Sequence, residues 1–207
     1  MSPVLPPVLE HFAVAVCAIS GVLAAAGRRI DLFGVMVLAL VTAVGGGTVR
    51  DVCLGVTPVF WIENPPVTIT ALFTALATFV VARFWKMPLR ALLIADAVGL
   101  AMFTIVGVEK SLSFQASGII AVILGVITGV AGGLIRDVLC REVPLVFRQE
   151  TYLYATAATI GALVYILLQR FAPGIPQPGL VGMIVILLLR LAAIVWKWRL
   201  PVFDSRT

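Results

Sequence analysis

Two short stretches of this chain carry residue types that could do chemistry inside an otherwise apolar sequence. "TAVGGGTVRDV", residues 42–52, and "TGVAGGLIRDV", residues 128–138, each join a glycine run to an adjacent arginine and aspartate. Arg50–Asp51 and Arg136–Asp137 place both signs of charge where a bilayer excludes them, at about 2.5–3.5 kcal/mol per charge on insertion scales. Charges kept at that cost mark a functional site by default. The glycines Gly45, Gly46, Gly47, Gly132 and Gly133 weaken a helix locally. Backbone carbonyls freed there could coordinate a cation, and freed N–H groups could hold an anion. Close packing of helices through small residues is the alternative use of the same glycines. Thr42 and Thr128, one turn earlier, carry hydroxyls that could line a path, although threonine often bonds only its own helix.

The two stretches are copies. At an offset of 86 residues, seven of the eleven positions are identical, and Gly21 matches Gly107, Pro58 matches Pro144 and Thr70 matches Thr156. The same offset sets Glu10 over Asp96, a carboxylate over a carboxylate. Two related charge clusters are therefore expected, Glu10 with Arg50 and Asp51, and Asp96 with Arg136 and Asp137. Arginine suits such a place, because its planar fork bridges a carboxylate and nearby helix carbonyls. Structural ion pairing and a role at the rim or gate of a pathway both remain open for these arginines.

The elements that position these residues follow from composition. Of 207 residues, 61% are hydrophobic and 12% charged, and the mean hydropathy is +1.13. A soluble domain is about half apolar and about a quarter charged, so this chain is an integral membrane protein. Apolar runs of about 20 residues match the hydrocarbon thickness and read as helices. Seven transmembrane helices are expected, over 8–26, 32–54, 66–84, 91–108, 117–139, 151–169 and 179–198. The fold class is all-α, and residues 1–207 form a single transmembrane domain. Repeat A covers about 8–84 and repeat B about 91–169, with the seventh helix, about 179–198, standing alone. A three-helix unit ends on the side opposite its start, so the second copy is inverted, as in many transporters and some channels. The start lacks a basic leader region, so the first span is expected to remain in the protein.

Loops placed alternately on two sides divide the charges unequally. One side collects Arg28, Arg29, Arg83, Lys86, Arg90, Arg141, Arg148, Lys197, Arg199 and Arg206, and the other Lys110 and Arg170. This places the N-terminus outside and the C-terminus in the cytoplasm. The net charge of +5 is thus topology, and no nucleic-acid partner is expected. Cys17, Cys53 and Cys140 show no metal-ligand spacing, so neither metal nor cofactor is expected. The glycine run lacks the pattern and preceding strand of a phosphate loop. His11 reads as an interfacial residue, and Arg190 as a side chain snorkelling to the inner face. No nucleophile–base pair is present, which speaks against an enzyme.

"DLFGVMVLALVTAVGGGTVRDVCLGVTPVFW" and "ADAVGLAMFTIVGVEKS…GVAGGLIRDVLCREVP" resemble the prokaryotic trimeric intracellular cation (TRIC) channel family. The resemblance runs through both repeats and is less distinctive in the last span. It implies a homotrimer in a lipid bilayer, with a pore in each subunit between spans 2 and 5, bent at their glycines. It implies conduction of monovalent cations, chiefly potassium (K+). Carried over by motif, the positions are Gly45, Gly46, Gly47, Arg50 and Asp51, then Gly132, Gly133, Arg136 and Asp137. The second motif opens with Ala131 in place of a third glycine, a departure from an equal bend in both halves. Some bacterial relatives are described as glycine transporters. A secondary carrier for a small zwitterion such as glycine is therefore the alternative to a potassium channel.

Overall fold

The computed structural model describes residues 7–85, 88–148 and 153–198. Lys86, Arg199 and Arg206 of the charge count lie outside the described residues. The described chain is all-helical: α1 (Pro7–Ala24), α2 (Leu32–Leu54), α3 (Phe60–Glu63), α4 (Pro65–Phe84), α5 (Leu89–Ser113), α6 (Gly118–Leu139), α7 (Tyr154–Phe171) and α8 (Pro178–Trp196). Six of these are long and apolar enough to span a bilayer, and α1 supplies a shorter apolar helix, so the seven expected spans are present. The one-turn α3 and a 3-10 turn at Leu145–Phe147 were not legible as helices in the sequence.

Local chemistry sets the helix ends. Asp31 caps α2 by accepting a hydrogen bond from the Gly34 N–H at 2.8 Å. Pro65 and Pro178 sit at the first turns of α4 and α8, where a missing N–H costs nothing. At the far end of α2, Gly55 turns left-handed at φ 68°, and the Val56 N–H returns to the Asp51 carbonyl at 2.8 Å. The second copy ends α6 in the same way, with the Glu142 N–H on the Asp137 carbonyl at 2.9 Å. Here the left-handed residue is Arg141, at φ 57°. Both are Schellman-type stops.

The two repeats interlock about an internal two-fold axis. α1 packs on α2 as α5 packs on α6, and the pairs α1/α5 and α2/α6 cross the axis. The ends of α1 and α6 meet at one face, where Cys140 Sγ lies 3.7 Å from the Ala24 carbonyl. The ends of α2 and α5 meet at the opposite face, where Lys110 pairs with Asp51. That exchange of ends is what an inverted three-helix repeat requires. α8 stands outside both repeats and packs on α5 and α7.

The glycine runs lie within uninterrupted α-helix, so the expected break that would free backbone groups is not found there. Their contacts explain them instead. A Cβ on Gly46 would overlap the Thr128 carbonyl oxygen, and a Cβ on Gly132 would overlap the Thr42 carbonyl oxygen. Under the 86-residue offset these two contacts are one contact made twice. Backbone approaches so close are open only to glycine, and they bring Cα–H groups onto carbonyl oxygens across the helix pair. Gly21 and Gly107 repeat the theme: a Cβ on Gly21 would meet Ala39 Cα at 2.6 Å, and one on Gly107 would meet Thr128 Oγ1 at 2.6 Å.

Large side chains such as Ile69, Phe73, Val80 and Phe84 on α4, and Leu163, Leu167 and Phe171 on α7, stand exposed. Outward apolar rows of this kind suit contact with lipid or with another protein chain.

Candidate functional site

Where α2 and α6 cross, their close approach brings together the residues singled out from the sequence. A narrow cavity of about 10 Å³, room for roughly one water, lies there, lined by Thr42, Thr128, Ser20, Cys17, Asp96 and several of the glycines. Thr42 Oγ1 donates to the Leu38 carbonyl at 2.6 Å and Thr128 Oγ1 to the Leu124 carbonyl at 2.5 Å. Each hydroxyl proton is thereby committed to its own helix, and the oxygen lone pairs are left for whatever enters. Gly46, Gly47, Gly132 and Gly133 also border this space, whereas Gly45 packs against Ile135.

Beside the cavity sits a fully buried charge cluster. Arg136 donates from Nε to Asp137 Oδ1 at 2.8 Å, and from Nη1 to Asp96 Oδ1 at 2.9 Å and Ser20 Oγ at 3.0 Å. The expected Arg136–Asp96 pair is therefore formed, between α6 and α5. Asp137 Oδ2 accepts the N–H of Leu145, at 2.8 Å, and so holds the first residue of the 3-10 turn. Arg190, placed at the membrane face by the sequence reading, lies instead at 0% exposure inside this cluster. Its Nη2 is 4.0 Å from Asp96 Oδ2, and its guanidinium stacks 4.6 Å over the Tyr154 ring.

The first copy is built differently. Arg50 donates from Nε to Asp51 Oδ1 at 2.9 Å, and Lys110 shares that oxygen at 2.8 Å. Asp51 Oδ2 accepts the Phe60 N–H at 2.9 Å, which fixes the start of α3, and the Phe60 ring lies 5.6 Å from the Arg50 guanidinium. The expected Arg50–Glu10 pair is not a direct contact, although the Glu10 charge acts on the Arg50 guanidinium at longer range. Among the described residues, the carboxylate in contact with Arg50 is its own neighbour, Asp51, so the Arg–Asp step bonds within itself. Glu10 stays half-buried near the start of α1, and the neighbouring His11 shares a 2.7 Å hydrogen bond with Thr70 of α4.

Lys110, Tyr154, Ser20 and Arg190 are thus site residues that sequence reasoning missed or set aside. Only Arg190 carried a usable signal, a charge inside an apolar span.

A larger cavity, about 280 Å³, opens at the face where α1 and α6 end, and Arg190, Asp137, Arg28, Glu142 and Arg148 are on its wall. Glu142 bridges two arginines, with Arg28 Nη2 at 2.5 Å and Arg148 Nη2 at 2.9 Å. The hydrogen bond from Arg28, followed by the charge of Arg148, holds the Glu142 carboxyl below its usual range. Glu142 in return raises the Arg28 guanidinium.

The comparisons agree with this architecture. A family model described as "Glycine transporter" matches residues 7–83 and again 93–170. The inner membrane protein YadS of Escherichia coli K12 is 48% identical over 197 residues, covering 94% of each chain. A membrane protein of Vibrio cholerae is 45% identical over 201 residues, covering 94% of this chain and 81% of its own. Among solved structures, the TRIC trimeric intracellular cation channel orthologue from Rhodobacter sphaeroides superposes with a TM-score of 0.85 at 38% identity, over 92% of this chain and 97% of that one. A prokaryotic TRIC channel in 0.5 M KCl gives 0.84 at 28% identity, over 93% and 97%. These solved relatives are channels rather than enzymes. The chain belongs to this family of multi-pass membrane proteins, which has the TRIC fold and whose family model carries the description of a glycine transporter.

Proposed function

We propose that the chain conducts monovalent cations, chiefly potassium, along a path between α2 and α6, one path in each subunit of a homotrimer. The observation that carries this reading is the cavity at the α2–α6 crossing, lined by the hydroxyl-bearing Ser20, Thr42 and Thr128 and by Asp96. Oxygen donors of this kind replace part of a cation's hydration shell. The cation-channel names of the solved relatives support the same reading, and the R. sphaeroides protein is called trimeric. In this reading the cavity is the narrow, closed part of the path. Opening bends α2 and α6 at Gly45–Gly47 and Gly132–Gly133, where no side chains resist the movement. The chain acts as one transmembrane unit in a bacterial inner membrane. The face bearing Arg28, Arg83, Arg90, Arg141 and Arg148 is cytoplasmic and the N-terminus is outside. Lipid covers the apolar rows left outside the trimer.

A second reading, carriage of glycine, draws on the family description and on the larger cavity, where arginines and carboxylates stand close enough to hold both ends of a zwitterion. Planar-bilayer recording of purified protein, beside counterflow of labelled glycine in vesicles, separates the two. Discrete unitary K+ currents uphold the channel. Saturable counterflow without such currents replaces it with the carrier.

A further inference from the structure

α8 belongs to neither repeat, yet it carries Arg190, a fully buried charge that, alone among the described residues, has no counterpart under the internal symmetry. Arg190 stands between the two cavities. It lines the larger one, and its Nη2 is 4.0 Å from Oδ2 of Asp96, which lines the smaller one. Oδ1 of Asp96 is held by Arg136 at 2.9 Å, so this carboxylate lies between two guanidinium groups. Arg136 and Arg190 against Asp96 and Asp137 sum to zero charge. A cation leaving the larger cavity for the smaller one passes Arg190 and then meets Asp96.

We infer that Arg190 is a tethered counter-ion that competes with the permeant cation for Asp96, and so sets the conductance of the path from that side. This rests on the cation-path reading above and names the control of that same path. The stacking of Arg190 on Tyr154 holds the guanidinium beside Asp96, with Nη2 4.0 Å from its second oxygen. A cation drawn to Asp96 therefore meets the field of a guanidinium already in place. Removing the Arg190 charge makes the surroundings of Asp96 more negative by one unit. In a narrow cleft a fixed charge changes the local ion concentration by about tenfold or more, and salt screens the effect.

The test is unitary K+ current in planar bilayers for the parent, Arg190→Gln and Arg190→Lys, at low and high KCl, with size-exclusion profiles from the same preparations. Arg190→Gln is expected to raise low-salt conductance by about three- to tenfold, an effect that shrinks at high salt, while Arg190→Lys stays near the parent. An Arg190→Gln protein that assembles and conducts like the parent overturns the inference, as does an equal change in Gln and Lys. If Arg190→Gln does not assemble, Arg190→Met, uncharged and able to keep the packing against Tyr154, takes its place. A salt-dependent rise in Arg190→Met supports the inference, and no rise overturns it. A parent without unitary currents is a different failure: it removes the cation path and this inference together.

Discussion

Gly47 and Gly133 occupy the same position in the two repeats and make room for different things. A Cβ on Gly47 would run into the Phe60 ring, whereas one on Gly133 would lie 3.1 Å from Asp96 Oδ1 and 3.2 Å from the Tyr154 hydroxyl. Around each glycine the same frame recurs. The arginine Nε bonds the next aspartate, and that aspartate accepts the N–H that opens the following one-turn helix. Beyond the frame the copies part. Arg50 stays with its own neighbour and an aromatic ring, and Lys110 of α5 is the only distant charge within ion-pair reach of its cluster among the described residues. Arg136 reaches Ser20 on α1 and Asp96 on α5, with Arg190 of α8 close behind. The shared part is scaffold. The unshared part is gathered around Asp96.

The comparison can be broken most severely at the helix crossing. Gly46→Leu drives a side chain into the Thr128 backbone, and overpacking against a carbonyl that cannot rotate away costs about 3 kcal/mol or more. Loss of monodisperse protein on size exclusion is expected, while Gly45→Ala, which meets only the flexible end of Ile135 at 3.1 Å, is recovered normally. Next come the two arginines. Arg136→Ala strips Asp137 of its guanidinium partner and leaves Asp96 with the more distant Arg190, and is expected to cost about 3–5 kcal/mol. Arg50→Ala is expected to cost about half as much, because Lys110 remains on Asp51. Equal shifts in thermal unfolding in detergent would erase the distinction between the clusters.

A smaller effect of opposite sign is expected at the helix stops. Arg141 is exposed and left-handed where its counterpart is Gly55. Arg141→Gly relieves the left-handed strain and is expected to stabilise by up to about 1 kcal/mol, part of the gain being offset by a freer unfolded chain. Unchanged or lower thermal stability would show that Arg141 makes contacts outweighing its strain.

Smallest of all is the exposed Arg28–Glu142–Arg148 bridge. Glu142 has a lowered pKa when folded, so its contribution is present above the ordinary carboxylate value and fades as pH falls through the folded one. The difference in melting temperature between the parent and Glu142→Gln should be slight at neutral pH and shrink as pH falls below the ordinary carboxylate value and on through the lowered one. A difference that persists in acid would assign the effect to packing.

Much of this arrangement was legible in the sequence because membrane burial leaves few ways to place a helix. Span lengths, the inverted repeat and the Arg136–Asp96 pair all followed from apolar run length and one alignment offset. The offset brought Glu10 within electrostatic reach of Arg50 but not into contact with it, because alignment equates positions and not partners. The Arg50–Asp51 step satisfies itself, and Lys110, which loop counting had treated only as a topology marker, supplies the remaining charge. Arg190 was misplaced for a related reason. Snorkelling is the default for a lone arginine near a membrane face, and only the packing of α8 on α5 and α7 reveals that Asp96 and Tyr154 lie alongside it. The glycines were read correctly as special, but their contacts are between backbones, and no side-chain pattern announces the carbonyl oxygens of Thr42 and Thr128.

The adjacency of arginine and aspartate also bears on how the protein is made. Each guanidinium finds its first carboxylate one residue away, and each aspartate finds its N–H donor within nine residues. A nascent α2 or α6 therefore meets lipid as an already neutralised segment and can fold its following turn before any distant helix has been synthesised. Two contacts of these clusters, Lys110 with Asp51 and Arg136 with Ser20, join the halves and form only once both are present.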